Sequence, residues 1–250
     1  MNKKVPIIII CVLMFIIILL LIVFKDRVND DKNVSETSYL VIGDDSVWMY
    51  DDKWQKASYN LIESRKMNVY IDSLYKGSFT MKHGNKWNLF LNNDYYSYDG
   101  EMIAFSSDFI HLENFSVTNI DNEDLQEINK ILKYNYKLDD FSTAEKIKVD
   151  LNKDGKLENI INVSNLDKTN QNTYFNLLFV YIDNDVHVLI NEDISPADYF
   201  NSPIYSINYI LNVNNQSSIL VKKGYFSDAG KSGNVMYQLR DGKYKIVMED

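Results

Sequence analysis

The chain has a single cysteine, Cys11, and it lies inside an apolar run, so nothing beyond that run forms a disulfide or offers a thiol nucleophile. Its three histidines, His83, His111 and His187, are far apart, and no two share the spacing of a metal-ligating pair. Only three prolines and nine glycines occur in 250 residues, which excludes collagen-like and low-complexity chains. Basic residues are also short. The 26 Lys and Arg stand against 35 Asp and Glu, a formal charge of −9, and this excludes a broad basic surface for nucleic acid. No serine sits in a nucleophile-elbow motif, and Gly230-Lys231-Ser232 lacks an earlier glycine at the spacing of a phosphate loop, so it reads as a hairpin loop. Acids are plentiful, yet no pair is singled out for glycoside hydrolysis.

What the chain does have is a run without charge from Val5 to Phe24. As a helix, with a rise of about 1.5 Å per residue, it matches the ~30 Å hydrocarbon core of a bilayer. A cleaved signal peptide has a shorter apolar region of roughly 7 to 15 residues, followed by small residues. Here Ile22-Val23-Phe24-Lys25-Asp26 follows instead, so residues 5–24 are predicted to be an uncleaved transmembrane anchor. The bulky residues before Cys11 do not form a lipobox, and Cys11 reads as a buried residue of the span. Residues 1–4 form a short tail. Residues 25–37 are polar, acidic in places and aperiodic, as a linker would be.

About 225 residues follow the anchor, enough for one large or two ordinary domains. They read as mainly β with one short amphipathic helix, organised as two small antiparallel β-rich modules. In the first, residues 38–118, Ser46–Tyr50 and Lys53–Lys56 flank Asp51-Asp52 as a hairpin, with Trp48 and Tyr50 on one face. Further short strands are predicted over Met67–Ile71, Lys76–Met81, Lys86–Leu91, Tyr95–Tyr98, Glu101–Phe105 and Phe109–Val117. Their aromatic residues suit core packing and cross-strand pairing, or alternatively a stacking platform for sugars. A helix and connector occupy 119–140. There Leu125, Ile128, Ile131 and Leu132 recur at helical spacing, with Asp121 or Asn122 as N-cap and acids in the first turn. Its apolar face is expected to pack on a sheet. The second module, residues 141–250, returns to strands, among them the hairpins 174–190 and 236–248, the latter closed by a type I′ turn at Asp241-Gly242.

One loop carries chemistry. Asp150-Leu-Asn152-Lys-Asp154-Gly155-Lys156-Leu-Glu158 places oxygen donors at alternating positions, then a glycine, then a further carboxylate. Calcium takes about six to eight hard oxygen ligands. Short Asp and Asn side chains at the first, third and fifth positions converge as a backbone curls, and Gly155 permits the sharp turn. An EF-hand needs flanking helices and a glutamate at the twelfth loop position. Here that position is Ile161 and both flanks read as strands. The loop instead resembles the calcium loops of FG-GAP and VCBS-type repeats, found between strands in integrin-like propellers and many bacterial surface proteins. The resemblance implies a structural calcium ion held by the side chains of Asp150, Asn152, Asp154 and Glu158 and by the Lys156 carbonyl. The alternative is an acidic turn that binds no ion. Asn212-Val-Asn214-Asn-Gln216, before another β-branched strand, repeats the polar alternation without the carboxylates or glycine and reads as a degenerate second copy. Two repeats are too few for a closed propeller, which takes about four to eight blades, so a blade-like sheet or small sandwich is expected.

Basic residues flank the anchor almost evenly, so charge leaves its orientation open. A cysteine-free body and a calcium-type loop favour a cytoplasmic amino terminus and an extracytoplasmic body. Richness in Asn, Lys, Ile, Asp and Tyr fits a chain from an AT-rich bacterial genome. On that reading the Asn-x-Ser triplets at Asn33, Asn114, Asn162 and Asn215 carry no glycan. The expected role is a non-enzymatic binding or scaffold protein of the cell envelope, with a protein or carbohydrate ligand and no nucleic acid. The rival readings are a carboxylate-dependent envelope hydrolase and a membrane-bound regulator or assembly factor.

Overall fold

Alternating burial and tight turns rich in Asp and Asn account for most of the body. In the computed structural model the described residues are 37–44, 46–166, 174–183, 185–195, 198, 201–225 and 232–250. The expected tail and anchor, and the linker apart from Thr37, lie outside them, as does Gly230-Lys231. Among the described residues no helix is long and apolar enough to cross a membrane.

Eight strands form the first sheet: β1 (Ser38–Ile42), β2 (Ser46–Asp51), β3 (Lys53–Lys56), β4 (Lys66–Ile71), β5 (Leu74–His83), β6 (Trp87–Leu91), β7 (Asp94–Tyr96) and β8 (Met102–Phe105). Their order is β3-β2-β1-β8-β4-β5-β6-β7, all antiparallel. The turns Asp72-Ser73 and Asn92-Asn93 have positive φ at both residues. Such a turn matches the right-handed twist of its flanking strands, and short Asx side chains tolerate it best among residues with a Cβ.

The next two strands, β9 (Ile110–Leu112) and β10 (Ser116–Thr118), come from the single stretch expected over Phe109–Val117, and they go to different sheets. Strand β9 joins β15 (Pro203–Val213), β16 (Gln216–Tyr225), β17 (Gly233–Arg240) and β18 (Lys243–Glu249) in the order β18-β17-β16-β15-β9. Strand β10 joins β11 (Thr143–Val149), β12 (Glu158–Asn165), β13 (Tyr174–Ile182) and β14 (Asp185–Ile194) in the order β10-β11-β12-β13-β14. Thus 110–118, assigned by sequence to the first module, pairs with strands of the second half. Residues Ser38–Asp250 form one compact unit.

The cores give the layering. One face of the first sheet closes over a core of its own residues, Phe79 and Trp87 among them, joined by Ile62. Its other face contributes Leu40, Ile42, Trp48 and Phe105 to a core shared with Leu211, Leu220 and Met236 of the second sheet. The opposite face of the second sheet, with Ile210, Ile219 and Val221, shares a core with Ile147, Ile160 and Val180 of the third. The far side of the third sheet is covered by α1 (Asn122–Leu132), where Ile128 packs among Ile161, Phe175 and Phe179. The helix begins as its sequence dictates. Asp121 caps it by accepting the Glu123 and Asp124 N–H groups, and Asp124 Oδ2 in turn accepts the Asp121 N–H.

Candidate metal loop

Residues 150–157 connect β11 to β12, and Val149 pairs directly with Glu158 across the mouth of the loop. The curl is enforced from inside and outside. Leu151 is buried in the core between the second and third sheets, while the Lys153 ammonium reaches Glu113 at 2.6 Å. Lys153 and Gly155 adopt positive φ, +64° and +86°.

Every oxygen-bearing side chain of the predicted set turns into the loop. Asp150 Oδ2 accepts the Gly155 N–H at 3.1 Å, and Asn152 Oδ1 accepts the Asp154 N–H at 3.0 Å. Asp154 Oδ1 accepts the Lys156 N–H at 2.8 Å, and its other oxygen takes the Lys156 ammonium at 3.2 Å. Glu158 is buried, and its Oε2 accepts the Leu151 N–H at 2.6 Å. The loop thus brings the four predicted side-chain donors to one curl of backbone, each engaged with an N–H group of that curl. Among the described residues no three His, Cys, Asp or Glu side chains are gathered into a metal cluster.

Two features break the pattern of satisfied groups. Asp150 Oδ1 is buried and has no hydrogen-bond partner, and the Tyr244 hydroxyl, delivered by β18 of the neighbouring sheet, is likewise buried and unpartnered. An unpartnered buried oxygen costs roughly 1–3 kcal/mol, more when charged. The electrostatics agree. Burial pushes the Glu158 carboxyl above its ordinary range against the pull of the Leu151 and Asn152 N–H groups, and the charges of Asp150 and Asp154 push it the same way. Burial, then the Glu158 charge, raises the Tyr244 hydroxyl. Asp154, at the exposed rim, is lowered, first by the Lys156 N–H. Hard oxygen donors and an orphaned carboxylate oxygen beside a buried second carboxylate have the donor chemistry of a calcium loop.

The spacing of Asp150, Asn152, Asp154 and Glu158 was readable in sequence. Tyr244 was not, because it arrives from the last hairpin through sheet packing. The stretch read as a degenerate second copy forms the β15–β16 hairpin, closed by Asn214-Asn215 with positive φ at both residues. Two of the three histidines make ring contacts: His83 stacks on Tyr59 at 3.8 Å, and His187 lies edge-on to Tyr244. Comparison of the chain with protein-family models, curated proteins and solved structures finds no match.

Proposed function

We propose that the chain is a single-pass protein of the bacterial cell envelope, anchored through residues 5–24 with its amino terminus in the cytoplasm. Its body lies outside and acts in binding or scaffolding, not catalysis. A structural calcium ion is held by Asp150, Asn152, Asp154, the Lys156 carbonyl and Glu158. The observation that carries the calcium assignment is the buried Asp150 Oδ1 without a partner. A divalent cation satisfies that oxygen and relieves the mutual repulsion of Asp150, Asp154 and Glu158. Because Leu151 fixes the loop to the core, an ion bound there stabilises the body as a whole. The anchor rests on the uninterrupted apolar run, and the outward orientation on the cysteine-free body and the calcium-type loop.

The test is calorimetric titration of calcium into the chelator-stripped full chain in detergent, with thermal melts alongside. Saturation is expected near the ~0.1 to 1 mM range of extracellular modules. The accompanying stabilisation is about 2.7 kcal/mol at a hundredfold excess over Kd. Asp150→Ala and Asp154→Ala are expected to abolish both. Absence of heat and of any melting shift in the unaltered chain overturns the calcium assignment. Protease added to intact cells tests the orientation separately, since only an extracytoplasmic body is cleaved.

A further inference from the structure

Strands β4 to β7 turn one face to the core that the first sheet closes over, through Met67, Val69, Phe79, Met81 and Leu89. Successive side chains of a strand point to opposite sides, so the residues between these form a second face. The second sheet covers that side of the first sheet over β1, β2, β3 and β8, which supply Leu40, Trp48, Trp54 and Phe105 to the shared core. From β4 outward only the half-buried Tyr70 reaches that core, and the rest of the face is half-buried or exposed.

The open face has a consistent chemistry. Lys66, Thr80, Phe90 and Tyr95 stand directly opposite one another in a row across the four strands. The pairs Asn68–Ser78 and Lys82–Asn88 flank the row on its two sides, and Tyr70 faces Tyr75 at the far end. Two ring pairs result, Phe90 with Tyr95 at 6.1 Å and Tyr70 with Tyr75 at 5.1 Å. None of these positions carries a carboxylate. Lys66 and Lys82 are exposed, and neither makes an ion pair. The Lys82 ammonium lies over the Phe90 ring at 5.4 Å, a weak contact at an exposed site. In a chain of formal charge −9, a face with cations and no acid is the exception.

Three properties of the ligand follow. Unpaired lysines without an opposing carboxylate attract an anion. Aromatic faces set among hydroxyl and amide groups suit sugar rings, which present C–H faces and hydroxyls that both donate and accept. At ~3.4 Å per residue and ~4.8 Å between strands, Tyr70 stands roughly 16 Å from Phe90, which one sugar ring does not span, so the ligand is a chain. The charge of the whole chain sets the opposite limit. A nucleic acid bears a charge on every nucleotide and is repelled by the acidic remainder of the body more than a glycan charged at intervals.

We propose that the open face of β4 to β7 binds an acidic glycan chain, with Tyr70, Phe90 and Tyr95 as stacking rings and Lys66 and Lys82 meeting its carboxylates or phosphates. The assignment rests on the envelope-binding role proposed above and gives it a ligand class. It uses no residue of the calcium loop.

The test is calorimetric titration of oligosaccharides into the full chain in a zwitterionic detergent, with chelator present so that the outcome does not depend on calcium. The acidic probes are fragments of hyaluronate, alginate, polygalacturonate and phosphomannan, the last separating phosphate from carboxylate recognition. A neutral chitin oligosaccharide and an oligothymidylate are the controls. Saturable binding of at least one acidic probe is expected, about tenfold or more tighter than either control. Lys66→Ala combined with Lys82→Ala should weaken it about tenfold or more and flatten its dependence on salt. Tyr95→Ala, at a side chain 56% exposed, should weaken it comparably and leave the salt dependence intact. Lys130→Ala, on α1, should change neither. Thermal melts establish that each variant is folded. The proposal is overturned if no acidic probe binds saturably, if the neutral oligosaccharide or the oligothymidylate binds as tightly, or if the folded variants bind as the parent does. A body protected from protease on intact cells would instead overturn the envelope reading beneath it.

Discussion

Ile219 and Leu220 are consecutive on β16, neither exposes any surface, and they belong to different cores. Ile219 faces the third sheet together with Ile160 and Val180, and Leu220 faces the first together with Phe105 and Trp48. The middle sheet therefore has no solvent face over residues 217–221 of this strand, and the two outer sheets are coupled through it. Replacing either residue by alanine is expected to cost about 2–5 kcal/mol. Because both cores share β16, each variant should shift a single thermal transition, read by tryptophan fluorescence, since Trp48, Trp54 and Trp87 all lie in the first sheet, and by circular dichroism. Two separated transitions, only one of them moved, would show that the halves melt independently.

Gly100 is fixed by geometry on two counts, its φ of +114° and the Asp72 carboxylate against it. Gly100→Ala is expected to destabilise by more than about 1 kcal/mol, because it strains the backbone and drives Asp72 away from the Glu101 N–H, which its Oδ1 accepts at 2.9 Å. The urea midpoint measures the loss. Asp72→Ala removes the clash and should make the alanine at position 100 cheaper than it is alone, the signature of direct coupling.

The strands and turns of this body were largely legible because they are local. Trp48 and Tyr50 do lie on one face, and Asp241-Gly242 has the positive φ values of the expected turn. The helix begins at Asp121, one of the two N-cap candidates in its sequence. The sheet order was hidden. Leu40-Val41-Ile42 and Ile219-Leu220-Val221 are apolar runs without alternation, and such runs do not say which distant strands cover each face. The same limit hid the contact of Glu101 with Asn208 and Lys222, from more than a hundred positions away. The loop donors were visible because one short segment carries them all. The approach of Tyr244 to Glu158 depends on how two sheets pack.

The acid limb of stability has an identifiable contributor. The Asp121 carboxyl is held down to about 2, first by the hydrogen bond from Lys146, then by the Asp124 N–H. Its ordinary value is 3.8, so the unfolded chain takes up this proton before the folded one does. The contribution is therefore full above 3.8 and is lost as pH falls towards 2. Asp121→Asn keeps a capping side chain and removes the titration. The variant is expected to be less stable than the parent at neutral pH, with the gap closing as pH falls through that window. Urea midpoints across the window measure it, and a gap independent of pH would rule Asp121 out.

The same lysine joins the helix to its sheet. The Lys146 ammonium on β11 lies 2.7 Å from Asp124 Oδ2, with both side chains almost wholly buried, and 2.9 Å from Asp121 Oδ2 at the rim. Burial pulls the lysine's pKa down, but hydrogen bonds and charge from Asp124 and Asp121 outweigh it and the value is raised, so the ammonium stays charged at neutral pH. Lys146→Met would leave the Asp124 carboxylate buried with only the Asp121 N–H for company. Breaking a buried pair on one side costs about 3–5 kcal/mol, whereas replacing both partners by apolar groups is often neutral. Lys146→Met combined with Asp124→Leu should therefore recover most of the loss, short of the roughly 1 kcal/mol contributed by the capping interaction. Amide exchange over 122–132 reads whether the single variant frees the helix while the strands stay protected. Equal stability of the single variant and the parent would mean that Ile128 and its apolar neighbours hold α1 without the ion pair.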